Sequence, residues 1–364
     1  MDFSIIIPTR HRPGKLAQCV RSLSSQQLDP LPGCTGRFEV IVSIDGLDDS
    51  VSPHAATDAW SHDSSASFRV VTGEKRGINA ARNRGLELAS GRWTLFVNDD
   101  LYAQPGMLAE HRRAHLESLA HEPTARTGAI VVGDAPWCVH PDDSLFDRLV
   151  RETSMIFFYD RMHEYRADGD EPAHAWRDWG FRHCYTLNLS AATRAFHAVG
   201  GFRVLPEVYG YDDLEAGWRL GHLLHLPVLF RPRAKGTHDH RYSPDEYLAR
   251  EHTLGRAAWH LARAEPSCAY DLFGRDITSP DELAYSREFV CREREAVDRI
   301  RAAFIELART PSDAISGPAS KRLIQLLYQQ HLLLKRWEWR RGLLHAADSA
   351  ASFEVAPRRA SLVA

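Results

Sequence analysis

Arg92-Trp93-Thr94-Leu95-Phe96-Val97-Asn98-Asp99-Asp100-Leu101 decides the fold. Trp93 to Val97 are aromatic or β-branched apart from Leu95, and an almost unbroken apolar run of that length reads as a strand buried on both faces of a sheet. Asp99 and Asp100 arrive where that strand must end. In open α/β sheets ligands bind beyond the carboxyl ends of the strands, so acids placed there face a crevice and not the core.

Working back toward the N-terminus, Phe3 to Ile7 is a short apolar run closed by Pro8-Thr9. It predicts a buried first strand opening into the loop Arg10-His11-Arg12-Pro13-Gly14, after which Leu16, Val20 and Leu23 recur at helical spacing. A second strand, Phe38 to Ile44, runs into the acidic loop Asp45-Gly46-Leu47-Asp48-Asp49, a place to hold a ribose or a base edge. Phe68 to Val71 reads as a third strand, and Gly77 to Ala89 as a helix with Ile78, Ala81, Leu86 and Ala89 on its apolar face. Strand, helix, strand, strand, helix and the strand ending at Asp100 make a nucleotide-binding α/β half. The Gly-x-Gly-x-x-Gly fingerprint is missing after the first strand, as is the Gly-x-x-x-x-Gly-Lys-Ser/Thr loop, which argues against a dehydrogenase and a P-loop NTPase. Gly73-Glu74-Lys75-Arg76-Gly77 sets two cations before a helix N-terminus, either a phosphate seat or a solvated turn.

Toward the C-terminus, a helix runs from Gly106 through Leu119 and a strand from Ala129 to Val132, ending in Gly133-Asp134. Between 135 and 183, Trp137, Phe157, Phe158, Tyr159, Trp176, Trp179 and Phe181 interleave with polar groups, as aromatics that stack on sugar faces do, and as ordinary core and lid residues do. Gly200-Gly201-Phe202 then punctuates the chain. Tyr209-Gly210-Tyr211-Asp212-Asp213-Leu214-Glu215 follows, with Trp218 and Leu220 at helical spacing, and reads as a loop delivering two carboxylates to the positive end of a helix. A last short strand around Val228 to Phe230 leads to Gly236-Thr237-His238-Asp239-His240.

At 364 residues and 44% hydrophobic content, the chain can bury a large core and carry an appendage. A net charge of −3 and a pI near 6.7 give no bulk drive toward nucleic acid or an anionic membrane. Cys19, Cys34, Cys138, Cys184, Cys268 and Cys291 are scattered with no Cys-x-x-Cys pair, so they read as reduced thiols in a cytoplasm. The chain opens directly on a strand without a signal-peptide pattern, and no run of about 18 apolar residues occurs. The expectation is a cytoplasmic protein without a transmembrane segment, membrane-peripheral at most.

Taken together, Phe3-Ser4-Ile5-Ile6-Ile7-Pro8-Thr9-Arg10, the Asp45 loop, Arg76-Gly77-Ile78-Asn79-Ala80-Ala81-Arg82-Asn83-Arg84-Gly85, Asn98-Asp99-Asp100 and Gly210-Tyr211-Asp212-Asp213-Leu214-Glu215 resemble the family 2 glycosyltransferases of GT-A fold. The segment Asn188-Leu189-Ser190 to Gly200-Gly201-Phe202 resembles the stretch before the last of these motifs. The resemblance covers about residues 1 to 240. It implies a Rossmann-like mixed sheet flanked by helices, a nucleotide-sugar donor that is commonly a UDP-sugar, a hydroxyl-bearing acceptor such as a carbohydrate, and inverting transfer of the hexosyltransferase kind. It also implies a divalent cation, Mn2+ or Mg2+, on an Asp-x-Asp signature, and an acidic base before the acceptor-side helix. Residue by residue, Pro8, Thr9, Arg10, Asp45, Gly77, Arg82, Asn98 and Asp99 fall on the donor side. Asp100 is the expected metal ligand, with Asp99 the alternative, and His238 matches a histidine that completes the site in some members. Asp213 aligns with the base and Asp212 with a group that orients it or the acceptor. Trp176, Trp179, Tyr211 and Glu215 are the acceptor-side candidates. Asn98 stands where the family usually has Asp, which removes one negative charge.

Two other readings stay open. A sugar nucleotidyltransferase would need a Gly-rich basic loop after the first strand, of which Pro8-Thr9-Arg10-His11-Arg12-Pro13 is a poor version, and a binding module with weak or no turnover would keep the nucleotide pocket and tolerate Asn98. The expected organisation is a catalytic domain over 1–245, with a donor half 1–104 and an acceptor half 105–245, then a helical region 246–354 and a flexible tail 355–364. In that region Ser279-Pro280-Asp281-Glu282 starts a long helix marked by Val290, Val297, Ile300, Phe304 and Leu307, and a second runs over roughly Lys321 to Arg341. Their apolar faces need a cover. A hairpin packed on the catalytic domain, partly over the acceptor side, is the first expectation, a homodimer the second and a membrane surface the third.

Overall fold

The computed structural model describes residues 1–46, 57–60, 66–121, 128–153, 155–167, 176–205, 209–315 and 317–355. The first part of the chain forms β1 (Phe3–Thr9), α1 (Pro13–Ser24), β2 (Phe38–Asp45), β3 (Ser67–Gly73), α2 (Ile78–Glu87), β4 (Trp93–Val97), β5 (Leu101–Ala103) and α3 (Met107–His121). Next come β6 (Ile130–Asp134), α4 (Leu145–Glu152), α5 (Tyr159–Ala167), β7 (Asn188–Ala192), α6 (Thr193–Ala198), α7 (Asp212–Leu224) and β8 (Val228–His238). Helices α8 (Pro244–Ala264), α9 (Pro266–Phe273), α10 (Pro280–Arg292), α11 (Arg294–Ala308) and α12 (Gly317–Val355) complete it. Two compact units result, one from Met1–His140, Thr153–Val204 and Asp212–Arg241, the other from Pro141–Glu152, Leu205–Tyr211 and Tyr242–Ala364.

The first unit is a mixed sheet of strand order β3-β2-β1-β4-β7-β6-β8-β5. Every residue of β4 is buried, because the strand lies between β1, parallel with Phe3 opposite Trp93, and β7, antiparallel with Asn188 opposite Val97. Phe96 meets Phe196 and Phe202 edge-on at 5.1 and 5.0 Å, the geometry aromatic pairs prefer. Since β1, β2 and β4 run parallel, Thr9, Asp45 and the Asn98-Asp99-Asp100 turn come to one edge of the sheet. From the other direction β8 pairs antiparallel with β5, setting His238 opposite Leu101 and so beside Asp100.

Several elements depart from the sequence reading. The inner face of α2 is Ala81, Arg82, Gly85 and Leu86, whereas Ile78 is 38% exposed. Strand β7 has no signal in its small, polar sequence Asn-Leu-Ser-Ala-Ala, yet it is fully buried. Strand β8 does not stop at Phe230 but runs to His238, past a proline that sequence rules treat as a stop. The register against β6 jumps there from Gly133–Arg231 to Asp134–Lys235, so Pro232 falls in an irregularity where no ladder donor is required.

The second unit is helical. Helix α8 starts at a capping box in which Ser243 and Glu246 bond each other's backbone, a signal of the same kind as the Ser279 cap that starts α10. The expected single helix beyond Ser279 is two, α10 and α11, meeting at Glu293. The expected second helix is longer, Gly317–Val355, and α8 and α9 fall in the expected helical region 246–354, where the sequence reading delimited no helix before Ser279. Within this unit α12 packs along α8 and against α10 and α11, burying Phe304, Leu327, Leu334 and Leu343 completely. The apolar faces that needed a cover therefore find one in these neighbouring helices. The expected tail lies outside the described residues beyond Val355. Among the described residues no helix is long and apolar enough to cross a membrane.

Two glycines allow the α8–α12 approach. A Cβ on Gly255 would lie 1.8 Å from the Trp339 carbonyl oxygen, and one on Gly342 would lie 1.9 Å from that of His252. Both obstacles are backbone, so neither can swing aside. Gly342→Val is expected to destabilise the protein in urea unfolding by about 1–3 kcal/mol or more, the range for overpacking. Gly221→Ala in α7, whose new Cβ would make only an ordinary 3.7 Å contact, is expected to be neutral or to gain about 0.5–1 kcal/mol.

Candidate functional site

Asp99 and Asp100 are 3% and 1% exposed, and an isolated buried carboxylate is too costly to ionise unless it is paired. The ends of the neighbouring strands supply the partners. Thr9, closing β1, donates from Oγ1 to Asp99 Oδ2 at 2.7 Å. The loop then turns through His11 at φ 57°, and Arg12 pairs with Asp99 Oδ1 at 3.2 Å and donates to Asp100 Oδ2. His240 Nδ1 lies 3.0 Å from Asp100 Oδ2, and His238 Nε2 lies 3.5 Å from Oδ1.

The two acids are thereby driven apart. Burial pushes Asp99 up to about 6, opposed by Arg12 and reinforced by the Asp100 charge. Burial acts on Asp100 as well, but the His238 and His240 imidazoles beside it and the Arg12 charge hold it well below the usual carboxylate range. Burial also lowers His238, which keeps that imidazole neutral and able to offer a lone pair. Asp100, His238 and His240 bring ligand atoms within 4.8 Å of one another. Asp100 Oδ1, Asn98 Oδ1 and His238 Nδ1 are buried atoms with no hydrogen-bond partner. A carboxylate oxygen and imidazole nitrogens converging in this way suit Mn2+, and Mg2+ less, since magnesium prefers oxygen ligands.

A second buried constellation forms where α2 meets the start of α7. Arg82, 3% exposed, donates from Nη1 to Asp212 Oδ2 and to Asn79 Oδ1 (2.9 Å), and from Nη2 to Thr186 Oγ1 at 2.6 Å. The same Nη1 is 3.2 Å from Asp213 Oδ1, whose other oxygen accepts the Thr186 N–H at 3.0 Å. Burial raises Asp213 to about 6; Arg82 opposes the shift and the Asp212 charge adds to it. A carboxylate poised there is charged at neutral pH yet basic enough to take a proton.

The other expected site residues divide. Asp45 accepts the Arg76 N–H at 2.8 Å and the Gly77 N–H at 3.0 Å, so the carboxylate, Gly77 and the basic turn form one structure; Asp48 and Asp49 lie outside the described residues. Pro8 is buried in β1, and Arg10 bonds its neighbour His11. Trp176 stacks on His121 at 4.1 Å, and Trp179 packs edge-on to His183. Tyr211 belongs to the helical unit, where its hydroxyl accepts from Trp339 Nε1 at 2.9 Å. Glu215, 2% exposed, is gripped by Arg219 through both oxygens and approached by Arg203 at 3.2 Å. That carboxylate anchors α7. Sequence reasoning missed Arg12, His240 and Thr186 as site residues. The His238-x-His240 spacing was the available clue for one of them, and nothing local marks Thr186.

With this geometry in place, comparisons with known proteins are informative. Residues 4–119 match the family model described as Glycosyl transferase family 2. The likeness to family 2 glycosyltransferases thus lies in the N-terminal part of the chain. Validoxylamine A glucosyltransferase of Streptomyces hygroscopicus subsp. limoneus is 28% identical over 243 residues, covering 60% of this chain and 47% of that one. The uncharacterized glycosyltransferase YfnE of Bacillus subtilis is 30% identical over 115 residues, 32% of this chain and 27% of its own. The chain thus spans at most about half the length of these relatives. In fold it resembles a mannosyltransferase from Pyrobaculum calidifontis solved with GDP-Man and Mn2+, with a TM-score of 0.54 at 16% identity over 97% of this chain and 87% of that one. The fold is GT-A with a helical extension.

Removing Arg82 leaves Asp212 and Asp213 buried without their cation, which typically costs about 3–5 kcal/mol. Arg82→Met should show that loss in denaturant unfolding at pH 8. Asp213, already raised to about 6, rises further without Arg82, so the folded state binds its proton before the unfolded chain does. The deficit should therefore shrink as pH falls from 8 toward 6 and level off below the unmodified protein's value of about 6, where both proteins carry the proton.

Proposed function

We propose that the chain transfers a sugar from a nucleotide-sugar donor, of the UDP-sugar type, to an acceptor hydroxyl with inversion, in a reaction that depends on a divalent cation. One observation carries this reading. Asp100, with an unpartnered buried oxygen, converges with the imidazoles of His238 and His240 at the carboxyl ends of the parallel strands, the side on which open α/β sheets bind their ligands. Asp100 and His238 would hold the ion, with His240 as a third ligand. A bound divalent ion supplies neutralisation of the charge that builds on the leaving nucleoside diphosphate.

The chain's own residues do the rest. Thr9 fixes Asp99, and Asp45 fixes the Arg76–Gly77 turn, leaving a preshaped wall for the nucleoside and ribose. Asn98 contributes a buried amide oxygen without a protein partner, suited to a sugar hydroxyl. Asp213 receives the proton that the acceptor hydroxyl loses as its oxygen attacks the anomeric carbon. Arg82, itself bonded to Asp212, holds that carboxylate in place and opposes its protonation. The loss of a signature carboxylate at Asn98 and the lodging of Arg12 against Asp100 favour one second reading, a nucleotide-sugar-binding module with weak turnover. Donor hydrolysis measured with and without Mn2+ separates the two.

Asp100→Ala should abolish Mn2+-stimulated transfer while circular dichroism shows the fold intact. Normal transfer by that variant would remove Asp100 as the ligand. Asp213→Asn, nearly isosteric, should keep donor binding in calorimetry and lose about 10²- to 10⁴-fold in kcat. In the unmodified protein the base must be ionised, so kcat/KM should fall on the acid side with a midpoint near the raised Asp213 value of about 6. A flat profile down to pH 4.5 would move the base elsewhere.

A further inference from the structure

On the other side of the β8 terminus lies a cluster with different chemistry. Cys138, His140 and Asp239 offer a thiol sulfur, a ring nitrogen and a carboxylate oxygen that all lie within 4.8 Å of one another. We propose that these three residues form a second metal site, one that takes a borderline-soft divalent ion of the zinc class and is separate from the Asp100 site.

The backbone explains why they converge. The Cys138 N–H donates to the His238 carbonyl at 2.9 Å, and the His238 N–H donates to the Pro136 carbonyl at 2.8 Å. Segment 136–138 is thereby laced to the end of β8 like a short parallel strand, with Trp137 opposite His238. The Asp239 N–H in turn donates to the Asp100 carbonyl at 2.8 Å. Side chains alternate in direction along extended chain, so His238 and His240 flank Asp100 while Asp239 turns the other way.

The ligand set is already oriented. His140 Nε2 stands 3.1 Å from Asp239 Oδ1, and Tyr102 donates its hydroxyl proton to Asp239 Oδ2 at 2.7 Å. An outer hydrogen bond to the non-ligating oxygen of a metal carboxylate is the usual way such ligands are aimed. One sulfur, one imidazole and one carboxylate make three protein ligands, which leaves zinc a fourth, open position. All three residues are partly exposed, so an ion has a path in. Lys15 is the group that opposes it, with Nζ 3.6 Å from Asp239 Oδ1 and bonded to the Asp239 carbonyl. Its side chain is 35% exposed and can withdraw into water when an ion arrives. Manganese and magnesium, harder ions, have little use for the thiolate, and the chemistry of the two sites therefore sorts the metals.

Cobalt(II) reports on this directly, because a thiolate ligand gives it a charge-transfer band in the near ultraviolet that oxygen and nitrogen ligands do not. Titrating the full chain with Co2+, with the Asp100 site saturated by Mn2+, should develop that band at one equivalent, and Zn2+ should bleach it. The band should vanish in Cys138→Ser and in His140→Ala and persist in Asp100→Ala. Tyr102→Phe, which keeps every ligand, should weaken Zn2+ about tenfold or more in a competition titration. No band in the unmodified protein, a band that survives Cys138→Ser, or one that disappears in Asp100→Ala would overturn the proposal.

Discussion

Two adjacent carboxylates buried at the end of one strand constrain everything around them. Left alone, Asp99 and Asp100 would repel each other in a poor dielectric, and one of them would carry a proton. The surrounding elements supply Thr9, Arg12, His238 and His240 from three parts of the fold. The parallel β1–β4 pairing brings Thr9, a left-handed turn at His11 brings Arg12, and the β5–β8 register brings His238. The mixed sheet order can be understood as the arrangement that lets both edges of the molecule's central strand contribute to one acidic point.

Arg12 has a notable position in this arrangement. Its guanidinium sits against both acids, the place where a divalent ion is proposed to act. A monovalent side-chain cation and a dication competing for one carboxylate give a site that is stable without its ion and responsive to it. At the second constellation Arg82 plays the fixed counterpart, buried at 3% exposure and bonded on several sides. One cation has a side chain 42% exposed to water, and the other is buried.

Much of this was legible in the sequence because it rests on local pattern. The apolar run Trp93–Val97 followed by two acids gave a buried strand with carboxylates at its end, and Asp212-Asp213 ahead of Leu214 gave acids at a helix start. What escaped depends on partners far along the chain. Strand β7 is recognisable only by its pairing with β4 and β6, since Asn188-Leu189-Ser190-Ala191-Ala192 has no strand-like composition. Pro232 hid the continuation of β8, and with it the strand position of His238 and the proximity of His240. Arg82 reads as a donor-side residue in the sequence, while the structure turns it toward Asp212, 130 residues away, and its neighbour Asp213. Glu215 looked like a site acid from its neighbours and is tied up by Arg219 one helical turn later. In the helical region the Ser243 capping box was readable and went unread, whereas the break at Glu293 has no proline or glycine to announce it.

The central claim is that Asp100, with His238 and His240, is where a divalent ion and the diphosphate of a sugar nucleotide meet. The most direct measurement is a crystal structure of the chain with Mn2+ and a UDP-sugar, with anomalous scattering recorded at the manganese edge. The account predicts an anomalous peak bonded to an Asp100 oxygen and to an imidazole of His238 or His240, with the diphosphate on its open side and Arg12 displaced from Asp100. A nucleotide bound away from the carboxyl ends of β1, β2 and β4, or a manganese peak that does not touch Asp100, would contradict it.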